Sequence, residues 1–268
     1  MSTQTSPASP LPPTLAKRAP VVSPTPETRG HPGGWFWILV ALAPATVLAL
    51  AWRGWQQLYA FDSGLDATLP QFQTQWFSVF LLNILGLPSL AAVWYAWIWL
   101  SARRLPKQIT AAQELRRIWN LWMITLATAV AGFWGGSFFA EQDAAWHQVT
   151  MRDTAFTPSH VALFYGSFPV IFYTAAGAYL YARTRLPHLY GGNRFPLSFA
   201  LPIAGGALLL FQVAFNEFGH TFWETEEIFS APLHWPFVLF AFMLGGNIAV
   251  WLQTLPRILA AVTATREV

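Results

Sequence analysis

The chain has 268 residues, 54% hydrophobic and only 10% charged, with 15 Trp, 22 Phe and a formal net charge of +3. Soluble domains carry about 25% charged residues, so this composition points to a polytopic membrane protein, and the small positive charge gives no reason to expect a nucleic-acid partner. There is no cysteine, which excludes disulfides, thiolate metal sites and cysteine nucleophiles and leaves imidazole, carboxylate, amide or water for any bound metal.

Residues 1–33 are rich in Pro, Ser and Thr and contain no apolar run. They cannot bury enough surface to offset their ordering entropy, so a flexible tail without a signal-peptide core is expected. A transmembrane domain follows over 34–256, and 257–268 reads as a short C-terminal tail. A span needs about 20 mainly apolar residues. Six stretches qualify, at 35–57, 76–100, 118–142, 160–182, 195–219 and 233–254. The expected fold class is therefore all-α: a polytopic integral membrane bundle with about six transmembrane helices.

Charge sets the expected orientation. Arg103, Arg104, Lys107, Arg116 and Arg117 lie between the second and third stretches, Arg183, Arg185 and Arg194 between the fourth and fifth, and Arg257 after the sixth. The positive-inside rule puts these segments, and with them both termini, in the cytoplasm. Asp62, Asp66, Glu141, Asp143, Asp153, Glu217, Glu224, Glu226 and Glu227 then fall on the opposite side.

Two hairpins on that opposite side share one pattern. Asp143 and His147 stand at i, i+4 spacing, which on a helix places them on one face. His160 follows two residues after Pro158, where Thr157 suits the N-cap and proline the first helical position. Asn216 and His220 repeat the i, i+4 pair, and His234 again follows two residues after a proline, Pro232. The hairpins span 136–172 and 211–237. Polar groups at helix ends can simply reach the interface, but interfacial polarity does not require matching pairs and matching Pro-x-His. Metal ligation explains the duplication better, since imidazole and carboxylate suit first-row transition metals and copper heads their affinity order. Glu141 and Glu217 are either acceptors for the imidazole N–H groups or solvated interfacial acids. His188 reads as an exposed loop residue, His31 has no assigned role, and Glu224, Glu226 and Glu227 read as a solvated face or a contact between subunits.

The segments Glu-Gln-Asp-Ala-Ala-Trp-His-Gln-Val (141–149), Arg-Asp-Thr-Ala-Phe-Thr-Pro-Ser-His (152–160), Phe-Tyr-Gly-Ser-Phe-Pro (164–169), Asn-Glu-Phe-Gly-His-Thr-Phe-Trp (216–223) and Phe-Ser-Ala-Pro-Leu-His-Trp (229–235) resemble the C subunit of the copper membrane monooxygenases. These act on methane, ammonia or short-chain hydrocarbons. The resemblance covers 34–256 and is strongest over 136–172 and 211–237. It implies copper as cofactor, A and B subunits as partners in a trimer of ABC protomers, and O2 with a small apolar substrate or ammonia as reactants. It also implies a bacterial inner or intracytoplasmic membrane, with the metal sites toward the periplasm. The family's ligands fall on Asp143, His147 and His160 and, for a neighbouring site, on Asn216, His220 and His234. All six match in identity. Which metal centre of the complex performs the chemistry stays open between this chain and its B partner, so no residue is assigned as catalytic. The Pro-rich tail before Trp35 has no counterpart in the family pattern.

Two readings from other classes stand beside this one. In a secondary transporter the acids and histidines would form a proton relay, a reading that draws on the internal repeat and is opposed by the clustering of polar groups at one membrane face. In a dihaem cytochrome the histidines would be axial ligands, but i, i+4 spacing on one helix opposes ligation from opposite faces.

Overall fold

Long apolar runs that open on proline and contain few charges fold as helices, the backbone form that satisfies its own hydrogen bonds in lipid. The computed structural model describes residues 34–63, 68–106, 108–133, 156–209 and 235–266. Within them all regular structure is helical. Helix α1 is Gly34–Ser63, α2 Pro70–Ala102, α3 Ala111–Phe133, α4 Pro158–Arg185, α5 the short Pro187–Tyr190, α6 Leu197–Leu209 and α7 Trp235–Arg266. Among the described residues α2 and α4 are long and apolar enough to cross a membrane, and α6 is a shorter apolar helix.

The ends differ from expectation in places. Helix α2 begins at Pro70, ahead of residue 76, because proline at the first position needs no hydrogen-bond partner. Helix α7 runs through Pro256 to Arg266, so 257–266, read as part of a tail, is helix. Proline inside a helix removes one bond and commonly bends the axis, and here the chain continues past it.

Proline also explains two widened turns. In α2 the segment Leu82–Gly86 has π-helical pairing and Pro88 follows; in α4 the segment Leu163–Ser167 does the same and Pro169 follows. A proline clashes with the carbonyl four residues before it. Those carbonyls, of Ile84 and Tyr165, lie inside the widened turns. The two π-turns lie against each other. Asn83 of the first donates from Nδ2 to Val161 O, just before the second, at 2.9 Å.

Helix α4 is the centre of the described bundle. In its apolar window 56% of residues are buried, against 17% in α2. Toward its C-terminal end it packs with Ile98 of α2, Ile118 and Leu121 of α3, Phe199 of α6 and Val250 of α7. Toward its N-terminal end Phe164, Phe168 and Ile171 pack with Leu209, Met243 and Trp52. Hydroxyl bonds stitch the same contacts: Ser167 Oγ donates to Ala131 O at 3.0 Å, and the Thr128 and Thr174 hydroxyls meet at 2.9 Å. Leu82, Leu85, Leu90, Val93 and Trp97 of α2 stay exposed, as expected of a face turned to lipid or to another subunit.

Candidate functional site

His160 is fully buried in the first turn of α4. Thr157 and Pro158 set that turn, as the sequence suggests: Thr157 takes the N-cap position with extended ψ and Pro158 starts the helix, although the Thr157 side chain makes no capping bond. The imidazole packs edge-on to Phe164, ring centroids 5.0 Å apart, and Phe164 packs on Phe168 at 5.4 Å.

Two amides from other helices reach the same turn. Gln56 of α1, fully buried, donates from Nε2 to Pro158 O at 2.7 Å. Asn83 supplies the bond to Val161 O. Gln56 Oε1 and Trp52 Nε1, one turn apart on α1, are buried without a hydrogen-bond partner among the described residues. A buried imidazole packed on an apolar ring fits a neutral nitrogen ligand.

Of the six expected ligands only His160 lies within the described residues; Asp143, His147, Asn216, His220 and His234 lie outside them, as do Glu141 and Glu217. The convergence of the two hairpins therefore also lies outside. Among the described residues no three acids or histidines cluster to hold a metal.

The opposite end of α4 carries a second polar assembly, about 40 Å away at 1.5 Å per residue. Glu114, in the first turn of α3 and buried, receives Arg257 Nε at 2.8 Å and Nη2 at 2.7 Å. His188 Nε2 lies 2.7 Å from Glu114 Oε1. Expected as an exposed loop residue, His188 is exposed, but it lies in the short helix α5 and its ring reaches this cluster. Burial pushes the Glu114 carboxyl up, but the hydrogen bonds and charges of Arg257 and His188 outweigh it and hold the group below the usual carboxylate range.

Arg185, read as a loop cation, is buried too. It donates to Ile98 O and Ser101 Oγ, each at 2.6 Å, and its guanidinium stacks 5.1 Å from the Tyr181 ring. Arg117 Nη1 donates to Arg185 O at 2.8 Å, satisfying a carbonyl at the C-terminus of α4. Sequence reasoning missed Gln56, Asn83 and Glu114. A signal existed for Asn83, an isolated polar residue in the run Leu-Leu-Asn-Ile-Leu, since polar groups inside a span are expensive.

The family model for the C subunit of ammonia monooxygenase/methane monooxygenase matches residues 32–264. The chain belongs to this family. The match covers nearly the whole described bundle and both hairpins. No curated protein matches the chain at a significant level. As a member of the C-subunit family the chain is a membrane component of a monooxygenase complex, an oxidoreductase, and the transporter reading has no support.

Proposed function

We propose that the chain is the copper-holding membrane component of an O2-dependent monooxygenase that hydroxylates methane, ammonia or a short-chain hydrocarbon. The observation that carries this reading is His160, a fully buried imidazole at the first turn of the central helix in a chain of this family. Asp143, His147 and His160 form one ligand set and Asn216, His220 and His234 a neighbouring one. Copper bound there supplies the redox chemistry for O2; this chain's residues supply the ligands and a buried surround that limits water. His160 buries its imidazole against Phe164, so a nitrogen donor is held in an apolar shell.

Six helices span the bacterial inner or intracytoplasmic membrane, with both termini cytoplasmic and the histidines toward the periplasm. The separation along α4 between His160 and the arginine-rich end supports this polarity, since cationic ends stay inside. The chain works with A and B subunits in a trimer of ABC protomers.

The experiment is His160→Ala in the assembled complex, reading copper content alongside oxidation of methane, butane and ammonia. The expected result is loss of copper from this chain and loss of turnover with assembly intact. Full copper content and full turnover would overturn the proposal. The substrate panel on the unsubstituted complex assigns the substrate class.

A further inference from the structure

Resting on the reading of His160 as a copper ligand, we propose that Gln56 and Asn83 are positioning residues for it: two buried amides, from α1 and α2, that fix the backbone on either side of His160.

A primary amide is costly to bury unless it is hydrogen-bonded, and packing alone would be served by an apolar side chain of the same size. Both amides reach far along the chain, Gln56 to Pro158 and Asn83 to Val161. Both end on the same turn. Pro158 precedes His160 by two residues and Val161 follows it, so the ligand sits between two anchored carbonyls.

Its own helix closes that turn through Val161 N–H on Thr157 O at 3.0 Å. Pro158 has no N–H to give, and the π-turn beginning at Leu163 widens the ladder on the other side. Without outside anchors the first turn of α4 can shift or fray. The anchoring bonds have ordinary lengths, 2.7 and 2.9 Å, and both are buried, where hydrogen bonds are electrostatically strongest.

Gly166 lies beside this bond: a Cβ there would be 3.4 Å from both Asn83 Nδ2 and Val161 O. Ligand geometry has to be held to about 0.5 Å to be productive, and groups that orient a metal ligand typically contribute 10–100-fold in metal affinity.

The test uses the assembled complex with copper(II) as the probe. The copper lost in His160→Ala defines the signal, followed by chelator competition and by electron paramagnetic resonance. Gln56→Met and Asn83→Leu remove the amides at nearly constant volume. Tyr95→Phe is the control: it removes a bond of the same kind, Tyr95 hydroxyl to Tyr173 O at 2.6 Å, farther along the α2–α4 contact. Each amide variant is expected to weaken the defined copper about 10–100-fold and to shift its resonance parameters, with Tyr95→Phe unchanged in both. Should either variant prevent assembly, Gln56→Asn and Asn83→Ser give the same readout with a smaller change of shape and the same expected direction. Wild-type affinity and spectrum in the amide variants, or an equal loss in Tyr95→Phe, overturns the proposal. If His160→Ala itself leaves all copper in place, the ligand reading fails. If His160→Ala removes it and the amide variants keep it, only the positioning role fails.

Discussion

Arg257 grips the Glu114 carboxylate with two parallel hydrogen bonds, Nε to Oε1 at 2.8 Å and Nη2 to Oε2 at 2.7 Å. The pair ties the first turn of α3 to α7, and His188 adds α5 at 2.7 Å. Three elements distant in sequence thus close on one buried carboxylate. Paired, fork-shaped geometry is the strong form of an ion pair.

Replacing Glu114 by Gln keeps the shape but removes the charge and one of the acceptors. The expected loss is about 1–2 kcal/mol, at the low end for charged hydrogen bonds because Arg257 is half exposed. Thermal unfolding of the purified complex checks it. An unchanged midpoint would show that the cluster contributes nothing to stability.

The same carboxylate predicts an acid limb. Its folded pKa lies below the ordinary value of 4.5, so the stability it adds is fully present above 4.5 and is lost as pH falls from there through the folded value. Wild type should lose stability over that interval more steeply than Glu114→Gln, which has no such proton to take up. Identical profiles for the two proteins below pH 4.5 would contradict the assignment.

Neighbouring glycines in α7 should behave in opposite ways. A Cβ on Gly246 would strike the Pro202 ring and lie 2.8 Å from Ser198 O, whereas one on Gly245 meets nothing within 4 Å. Gly246→Ala is therefore expected to cost about 1–3 kcal/mol by overpacking α6 against α7. Gly245→Ala should be neutral or stabilising by up to about 1 kcal/mol, since alanine favours helix over glycine. Equal unfolding midpoints for the two variants would refute the close packing of α6 on α7.

The two proposed ligand sets should differ in strength. Asn216 offers a neutral amide where the first set has the carboxylate of Asp143, and the amide is the weaker donor. Asn216→Ala should therefore remove less copper from the complex than His147→Ala. Metal analysis of both variants decides it, and equal losses would reverse the ranking.

Much of the helical organisation is legible in sequence because its causes are local. Thr157-Pro158 starts α4 where a fixed φ and a missing N–H suit a first turn, and this alone places His160 within that turn. The π-turns are harder to read. Pro88 and Pro169 mark where the ladder must open, but whether the helix kinks, breaks or widens depends on what can receive the displaced carbonyls. The other five expected ligands rest on sequence and family membership.

What the sequence by itself determined is the class: helical runs too apolar and too poor in charge for a soluble domain, proline-set helix starts, a duplicated acid-or-amide and histidine pattern, and membership of the monooxygenase C-subunit family. What only the tertiary structure decided is which polar side chains are partners. Charge counting treats Arg185 and Arg257 alike as cations outside the spans and gives His188 no part, yet Arg185 bolts α4 to α2 and the other two converge on Glu114. Gln56 and Asn83 give no sign in sequence of ending on the turn that holds His160. The physical reason is reach. Proline geometry and hydropathy act within a turn or two of chain, whereas a hydrogen bond from Gln56 to Pro158 exists only once helix packing has brought α1 against α4.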